Sequence, residues 1–174
     1  MTNSDLLVDW RPFFLMVAGA SASLAGLLFV ALSIHLRHIT TSPLYRYRAR
    51  LSLSTLMSVL VMASLVLIPR QDALALALKE TFPLSAQIMI VVAGLLELRR
   101  AGDPSRRRPY VLRTLVGLLL VIVACTGNVV LATGRWVGLE VLALCCLLFL
   151  VWMIFNAWAL VIGLADETSA QLRG

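Results

Sequence analysis

The clearest chemical pattern in this sequence lies along one stripe of a long apolar segment near the N terminus. The spacing between its members alternates between four and three residues, which keeps them on one face of a helix. The stripe comprises Gly19, Ser23, Gly26, Val30, Ser33 and Arg37. Around an oligomer axis these small side chains would leave room for water in a narrow pore, and Arg37 at its mouth would favour anions. The same face would also suit close helix packing, which is the usual role of small residues in lipid.

Four more polar side chains fall at membrane depth, namely His35, Gln87, Asn128 and Asn156. Amide side chains in apolar helices commonly form hydrogen bonds to a neighbouring helix, worth about 0.6 to 2 kcal/mol each. His35 and His38 have a spacing that suits two ligands of one metal ion, but no acidic or cysteine ligand lies nearby in the sequence. We therefore expect interhelical hydrogen bonds from the amides, and a titrating histidine at the membrane interface rather than a metal site.

The patterns that identify enzymes do not occur in this sequence. It has no glycine-rich phosphate loop, no H-E-x-x-H motif and no nucleophile elbow. The cysteines lie inside apolar runs without the spacing of metal ligands. Glu97 and Glu140 lie near the ends of apolar segments, where each can reach the interface or a nearby arginine. We expect neither catalysis nor a cofactor, and this scarcity of charge at membrane depth argues against a charge relay.

The composition indicates the elements that must position these residues. Of 174 residues, 60% are hydrophobic and 14% are charged, whereas an average soluble domain is about 45–50% apolar and about 25% charged. A soluble protein of this size would expose apolar patches that cause aggregation. The sequence therefore predicts an all-α integral membrane protein.

Five segments are long and apolar enough to cross the hydrocarbon core, which takes about 20 residues of helix. They form a single transmembrane domain with spans at about 13–36, 51–68, 82–98, 111–132 and 137–164. The third is the weakest, because Lys79, Glu80 and Pro83 interrupt the apolar run before it. We interpret residues 72–78 either as an interfacial half-helix or as a first turn kinked at Pro83.

The basic residues predict how the chain is threaded. Of the 15 lysines and arginines, four lie on one side of the predicted spans, and the other 11 lie on the opposite side. The smaller group comprises Arg11, Arg70, Lys79 and Arg135. Because cytoplasmic loops retain lysine and arginine, the pattern predicts an N terminus outside and a C terminus in the cytoplasm.

The connection between the third and fourth spans is especially basic. It is predicted as a lipid-facing basic loop that includes Arg99, Arg100, Arg106, Arg107 and Arg108. Each arginine near a membrane surface contributes about 1 kcal/mol to attraction for anionic lipid. Because the arginines adjoin apolar spans, we expect anionic lipids at the cytoplasmic face, and not nucleic acid, as their partners.

The string AGASASLAGLLFVALSIHLRHI, the arginine-containing connection after it and a second span ending LVLIPRQ resemble a family of small bacterial membrane proteins. The first helix of that family follows the pattern A-G-A-S-A-x-L-x-G-L-x-F-V-A-L-S, and the resemblance covers roughly residues 10–72. Some members carry a label as modulators of a membrane-anchored AAA protease. The resemblance implies a multi-pass protein of the bacterial inner (cytoplasmic) membrane and assigns no functional residues.

Two functions are compatible with these features. The first is a homo-oligomeric channel or pore for small ions, anions among them, lined by the first helix or by the faces that carry Asn128 and Asn156. The second is a regulatory or scaffold subunit that binds another membrane protein, such as a membrane-anchored protease. The first predicts a closed ring of subunits with ion flux, whereas the second predicts a defined partner in native membranes.

Overall fold

The chain folds into long helices, and the computed structural model describes residues 3–34, 43–100 and 104–171. Within these residues there are five helices and no strand. They are α1 (Asn3–Ile34), α2 (Pro43–Val66), α3 (Ala73–Arg100), α4 (Pro104–Ala132) and α5 (Val137–Gln171). Each contains a stretch long and apolar enough to cross a membrane, so the protein is a multi-pass membrane protein.

Helices α2 to α5 form a four-helix bundle, because each packs against the next and α5 returns to α2. Helix α1 lies outside this ring. It packs mainly on α2 and touches α5 only lightly, and an apolar groove of about 330 Å³ opens between α1 and α5. Five spans are thus arranged as four helices around a shared interior and one helix on the periphery.

The tightest contact in the bundle joins α4 to α5 near the start of α5. A Cβ atom added to Gly138 would lie 2.8 Å from Leu131 Cα and would also collide with the carbonyl oxygen of Gly127. A Cβ atom on Gly127 would lie 2.8 Å from Val141 Cγ1. The two helices therefore meet backbone to backbone, which is the close approach that glycine permits in membrane helices.

Two short turns close one end of the bundle, which we call the hairpin end: residues 67–72 join α2 to α3, and residues 133–136 join α4 to α5. In the first turn, Gln71 Nε2 donates to Leu65 O at 2.7 Å and so satisfies a carbonyl at the end of α2. Asp72 accepts a hydrogen bond from Ala75 N at 3.1 Å and caps the start of α3. In the second turn Gly134 has a φ of 80°, a left-handed conformation that glycine adopts without strain.

Helix α3 differs from the sequence-based expectation. The predicted third span began at residue 82, but the helix starts at Ala73 and continues through Pro83. Residues 72–78 are therefore not a separate interfacial half-helix. A proline removes one backbone hydrogen bond, and in α3 the neighbouring helices enclose this position, since Pro83 and Leu84 are both buried. The continuous helix carries Glu80 into the bundle.

The structure also differs from the predicted basic loop between the third and fourth spans, because it places the arginines in helices. Arg99 and Arg100 are the last residues of α3, and α4 already begins at Pro104, so Arg106, Arg107 and Arg108 belong to its first turns. Proline suits the first turn of a helix, because its missing N–H has no partner there in any case. These five arginines therefore extend the two helices instead of forming a loop.

Candidate functional site

The predicted small-residue stripe lies on the outer surface of α1. Gly19, Ser23, Gly26, Val30 and Ser33 are all exposed. Among the described residues, no atom beyond the helix itself lies within 4 Å of a Cβ atom added to Gly19 or Gly26. The Ser33 hydroxyl donates to Val30 O at 2.7 Å, inside its own helix. Within the part of the chain that the structure describes, these five residues of the stripe are therefore left uncovered by the other helices.

The opposite face of α1 makes the contacts with the bundle. Its buried residues are Phe14, Val17, Ser21, Ala25 and Leu28. At 100° per residue, this set is centred about 180° from the Gly19–Gly26 stripe. Ser21 Oγ donates to Leu56 O of α2 at 3.3 Å, a buried polar contact between the two helices. The small residues that face outward are thus not needed to hold α1 in place.

A second group of polar residues lies inside the α2–α5 bundle and is centred on Gln87. Gln87 Nε2 donates to Thr55 Oγ1 at 2.7 Å, and Ser58 Oγ donates to Gln87 Oε1 at 3.2 Å. Thr55 Oγ1 in turn donates to Leu51 O at 2.9 Å. The expected hydrogen bonding of the Gln87 amide to a neighbouring helix is present. Both the nitrogen and the oxygen of this α3 amide are bonded to side chains of α2.

A third group lies closer to the hairpin end and is centred on Glu80. This glutamate is 1% exposed, and neither carboxyl oxygen has a hydrogen-bond partner. Asn128 of α4 donates through Nδ2 to Ala77 O at 3.1 Å, while its buried Oδ1 has no partner. Ala77 precedes Glu80 by about one helical turn, so Asn128 and Glu80 lie against the same part of α3. Buried polar groups are nearly always hydrogen-bonded, and these three oxygens are exceptions.

The remaining predicted residues are not brought into either group. Asn156 Nδ2 donates to Trp152 O at 2.8 Å, a contact within α5 itself and not between helices. His35 and Arg37 fall outside the described residues. For Arg99, Arg100 and Arg106 to Arg108, the structure describes the helical backbone alone.

Sequence reasoning missed Glu80 and its neighbour Cys146. The thiol of Cys146, on α5, is buried and lies near Glu80. A usable signal existed in the spacing along α3, where the buried residues recur about once per helical turn. That stripe comprises Ala73, Leu76, Ala77, Glu80, Leu84, Gln87 and Val91. Once the helix is followed through Pro83, Glu80 shares a face with Gln87, seven residues on.

Comparisons with protein-family models, with curated proteins and with solved structures find no match to this chain. The resemblance of residues 10–72 to a bacterial family stays a prediction. Function therefore has to be inferred from two features, which are the free face of α1 and the polar interior of the bundle.

The two features differ in the chemistry they offer. The α1 face presents small side chains and two serine hydroxyls to its surroundings. The interior offers a carboxyl and an amide oxygen in a place from which lipid and bulk water are excluded. No cluster of three histidine, cysteine or acidic residues that would hold a metal ion occurs in the described part of the chain.

Proposed function

We propose that this protein is a self-associating membrane protein whose subunits assemble through α1 to form a pathway for small ions. The observation that supports this proposal is the position of the Gly19–Ser33 stripe. It points away from the face that packs on α2, and the other helices that the structure describes leave it uncovered. Small residues in membrane helices serve close approach to another helix, and a second copy of the chain carries the same face.

A ring of α1 helices would place glycine and serine next to the symmetry axis. Gly19 and Gly26 leave space for water, and Ser23 supplies a hydroxyl between them. The selectivity of such a pore depends on the groups at its mouths. Arg37 follows the end of α1 by three residues and is positioned by the sequence to favour anions.

The threading of the chain belongs to the same proposal. With 11 basic residues on one side, the chain would lie in the bacterial cytoplasmic membrane with its N terminus outside and its C terminus in the cytoplasm. The arginines at the ends of α3 and α4 would then face anionic lipid headgroups.

The test is to fill the α1 face without disturbing the fold. In Gly26→Leu, the new side chain enters open space within the single chain, so we expect a folded protein that no longer assembles. Ala93→Leu on α3 is the control, because Ala93 is also a small, exposed residue on the outer surface of another helix. The oligomeric mass in mild detergent and the ion flux into liposomes should both be lost in Gly26→Leu and kept in Ala93→Leu.

Flux of chloride and of potassium is measured separately, because a pore with Arg37 at its mouth should pass chloride faster. Wild-type protein that is monomeric in mild detergent and passes no ion in liposomes would contradict the proposal.

The second candidate is a regulatory or scaffold subunit that binds a helix of another membrane protein. It is favoured by the apolar character of part of the same face, where Val30 is 55% exposed and lies beside the exposed Leu27 and Phe29. These side chains suit helix packing better than contact with water. This role predicts a monomeric chain that co-purifies from native membranes with one defined partner, a membrane-anchored protease among the candidates, and that loses this partner in Gly26→Leu.

A further inference from the structure

The carboxyl of Glu80 is the most unusual group in the bundle. Its helix contains a membrane-spanning segment from Ala73 to Leu96, and Glu80 lies two turns from the start of α3, about 10 Å along its axis. An ionisable residue at membrane depth is costly and usually pairs with another group. Glu80 lies among helices α3, α4 and α5 with neither oxygen paired, so the fold keeps a polar group where it gains no hydrogen bond.

The unsatisfied atoms around Glu80 are all oxygen acceptors. They are the two carboxyl oxygens and Oδ1 of Asn128, whose Nδ2 is anchored to Ala77 O. A place that holds three buried oxygen acceptors without a hydrogen-bond partner is suited to a cation, since oxygen ligands are those that hard cations prefer.

The basic residues described near the hairpin end do not take this role, since Arg70 and Arg135, in its two turns, are both exposed. Lys79 precedes Glu80, but its Nζ donates to Gln71 Oε1 at 3.1 Å, at the hairpin end. The crossing segments of α2 (49–66) and α4 (114–132) carry one charged residue between them, Arg50, at the end of α2 far from the hairpin end. On α5, Cys146 lies beside Glu80 and follows the buried Cys145, while Glu140 is exposed near the start of the helix.

We propose that Glu80 and Asn128 form a binding site for a small monovalent cation of the sodium type, which exchanges with the proton of the Glu80 carboxyl. In the exchange, the O–H bond of the neutral carboxyl breaks, the proton leaves to water, and the carboxylate and Asn128 Oδ1 bind the cation. Net charge is conserved, because one positive charge replaces another. One carboxylate balances one charge, so the site suits a monovalent rather than a divalent ion.

The site lies inside one chain and does not require the assembly proposed for α1. A proton alone would turn one carboxyl oxygen into a donor, whose O–H can satisfy one acceptor such as Asn128 Oδ1 while the second carboxyl oxygen stays without a ligand. A cation bound between the carboxylate and Asn128 Oδ1 would pair with the oxygens of both side chains. Gln87 lies seven residues further along the same face of α3, beside a void of about 20 Å³ that also touches Thr55 and Thr114. That void is the size of about one water molecule.

The experiment measures thermal unfolding of the full-length protein in mild detergent, in sodium chloride or in choline chloride at equal ionic strength. A ligand that binds the folded state raises its stability, so sodium should raise the Tm by at least about 3 °C over choline. The shift should disappear in Glu80→Gln, which keeps the shape of the neutral side chain, and should persist in Glu140→Gln, the exposed control. It should need about tenfold more sodium in Asn128→Ala, which removes one ligand.

The exchange with a proton adds a second readout. The sodium concentration that gives a fixed Tm shift, for example about 3 °C, should fall as the pH is raised, because fewer protons compete for the carboxyl. Equal Tm values in sodium and choline, or a sodium shift that survives in Glu80→Gln, would overturn the proposal. The Gly26→Leu variant should keep the sodium-dependent Tm shift. The experiments therefore distinguish a failure of the assembly proposal from a failure of the cation-site proposal.

Discussion

The free face of α1 and the interior of the α2–α5 bundle use similar residues in opposite ways. Both carry glycine and hydroxyl side chains within apolar helices. On α1, the glycines have open space around them, and Ser33 bonds to its own helix. Inside the bundle, Gly138 touches the backbone of α4, and the hydroxyls of Thr55 and Ser58 join α2 to α3. Residue type alone therefore does not reveal whether a small or polar position stabilises the chain or remains available to a partner.

The two regions also differ in what they contribute to the free energy of unfolding. In lipid, helices gain no hydrophobic free energy from associating, so the fold depends on close packing and on hydrogen bonds between helices. The bundle uses both, whereas the α1 stripe contributes neither to the single chain. Substitutions in the interior should therefore lower the free energy of unfolding, and substitutions on the stripe should change assembly alone.

The largest effect is expected at the glycine contact between α4 and α5. Gly138→Ala adds a Cβ atom that would lie 2.8 Å from Leu131 Cα and against Gly127 O, both backbone atoms that cannot turn aside. The helices must separate, and we expect a loss of about 3 kcal/mol in the free energy of unfolding, at the upper end for overpacking. Chemical unfolding in detergent measures the change in this free energy. Gly26→Ala is the control and should leave this free energy unchanged or slightly higher, since alanine favours helix.

A smaller effect is expected from the amide at the centre of the bundle. Gln87→Leu removes the hydrogen bonds to Thr55 and Ser58 and leaves their hydroxyls to bond within α2, so we expect a loss of about 1 to 2 kcal/mol. Asn156→Leu is the matched control, because its amide bonds within α5 to Trp152 O. Equal losses in the free energy of unfolding for the two variants, measured in detergent, would contradict a special role for the bonds between α2 and α3.

The sequence was sufficient to predict the class of fold. Apolar runs of about 20 residues dictate membrane-crossing helices, and five such helices are present in the part of the chain that the structure describes. It was not sufficient to predict the arrangement, in which four helices form a ring and α1 stays outside. The reason is that lipid-facing and protein-facing residues are both apolar, so periodicity does not distinguish them as it does in water. The stripe on α1 was visible in the sequence, but its outward direction was not.

The burial of Glu80 was likewise not predictable from the sequence. Lys79, Glu80 and Pro83 in succession look like the edge of a membrane span, since charge and proline are both unfavourable in a buried helix. In the structure Lys79 reaches Gln71 at the hairpin end, while Glu80, the next residue, points into the bundle. Adjacent residues on a helix face different directions. Deciding which of the two is buried requires knowing where α4 and α5 lie, and those contacts are long-range.

The smallest and most specific effect is expected from two serines on α1 that differ only in direction. Ser21 faces α2 and donates to Leu56 O at 3.3 Å, a long hydrogen bond, whereas Ser23 is exposed on the stripe. Ser21→Ala should cost about 0.5 to 1 kcal/mol in the free energy of unfolding and leave native mass unchanged. Ser23→Ala should leave the free energy of unfolding unchanged, and a change in native mass or ion flux there would place the stripe in a subunit contact. If Ser23→Ala were instead the destabilising variant, α1 would be rotated about its axis relative to the bundle, and the contrast between its two faces would be reversed.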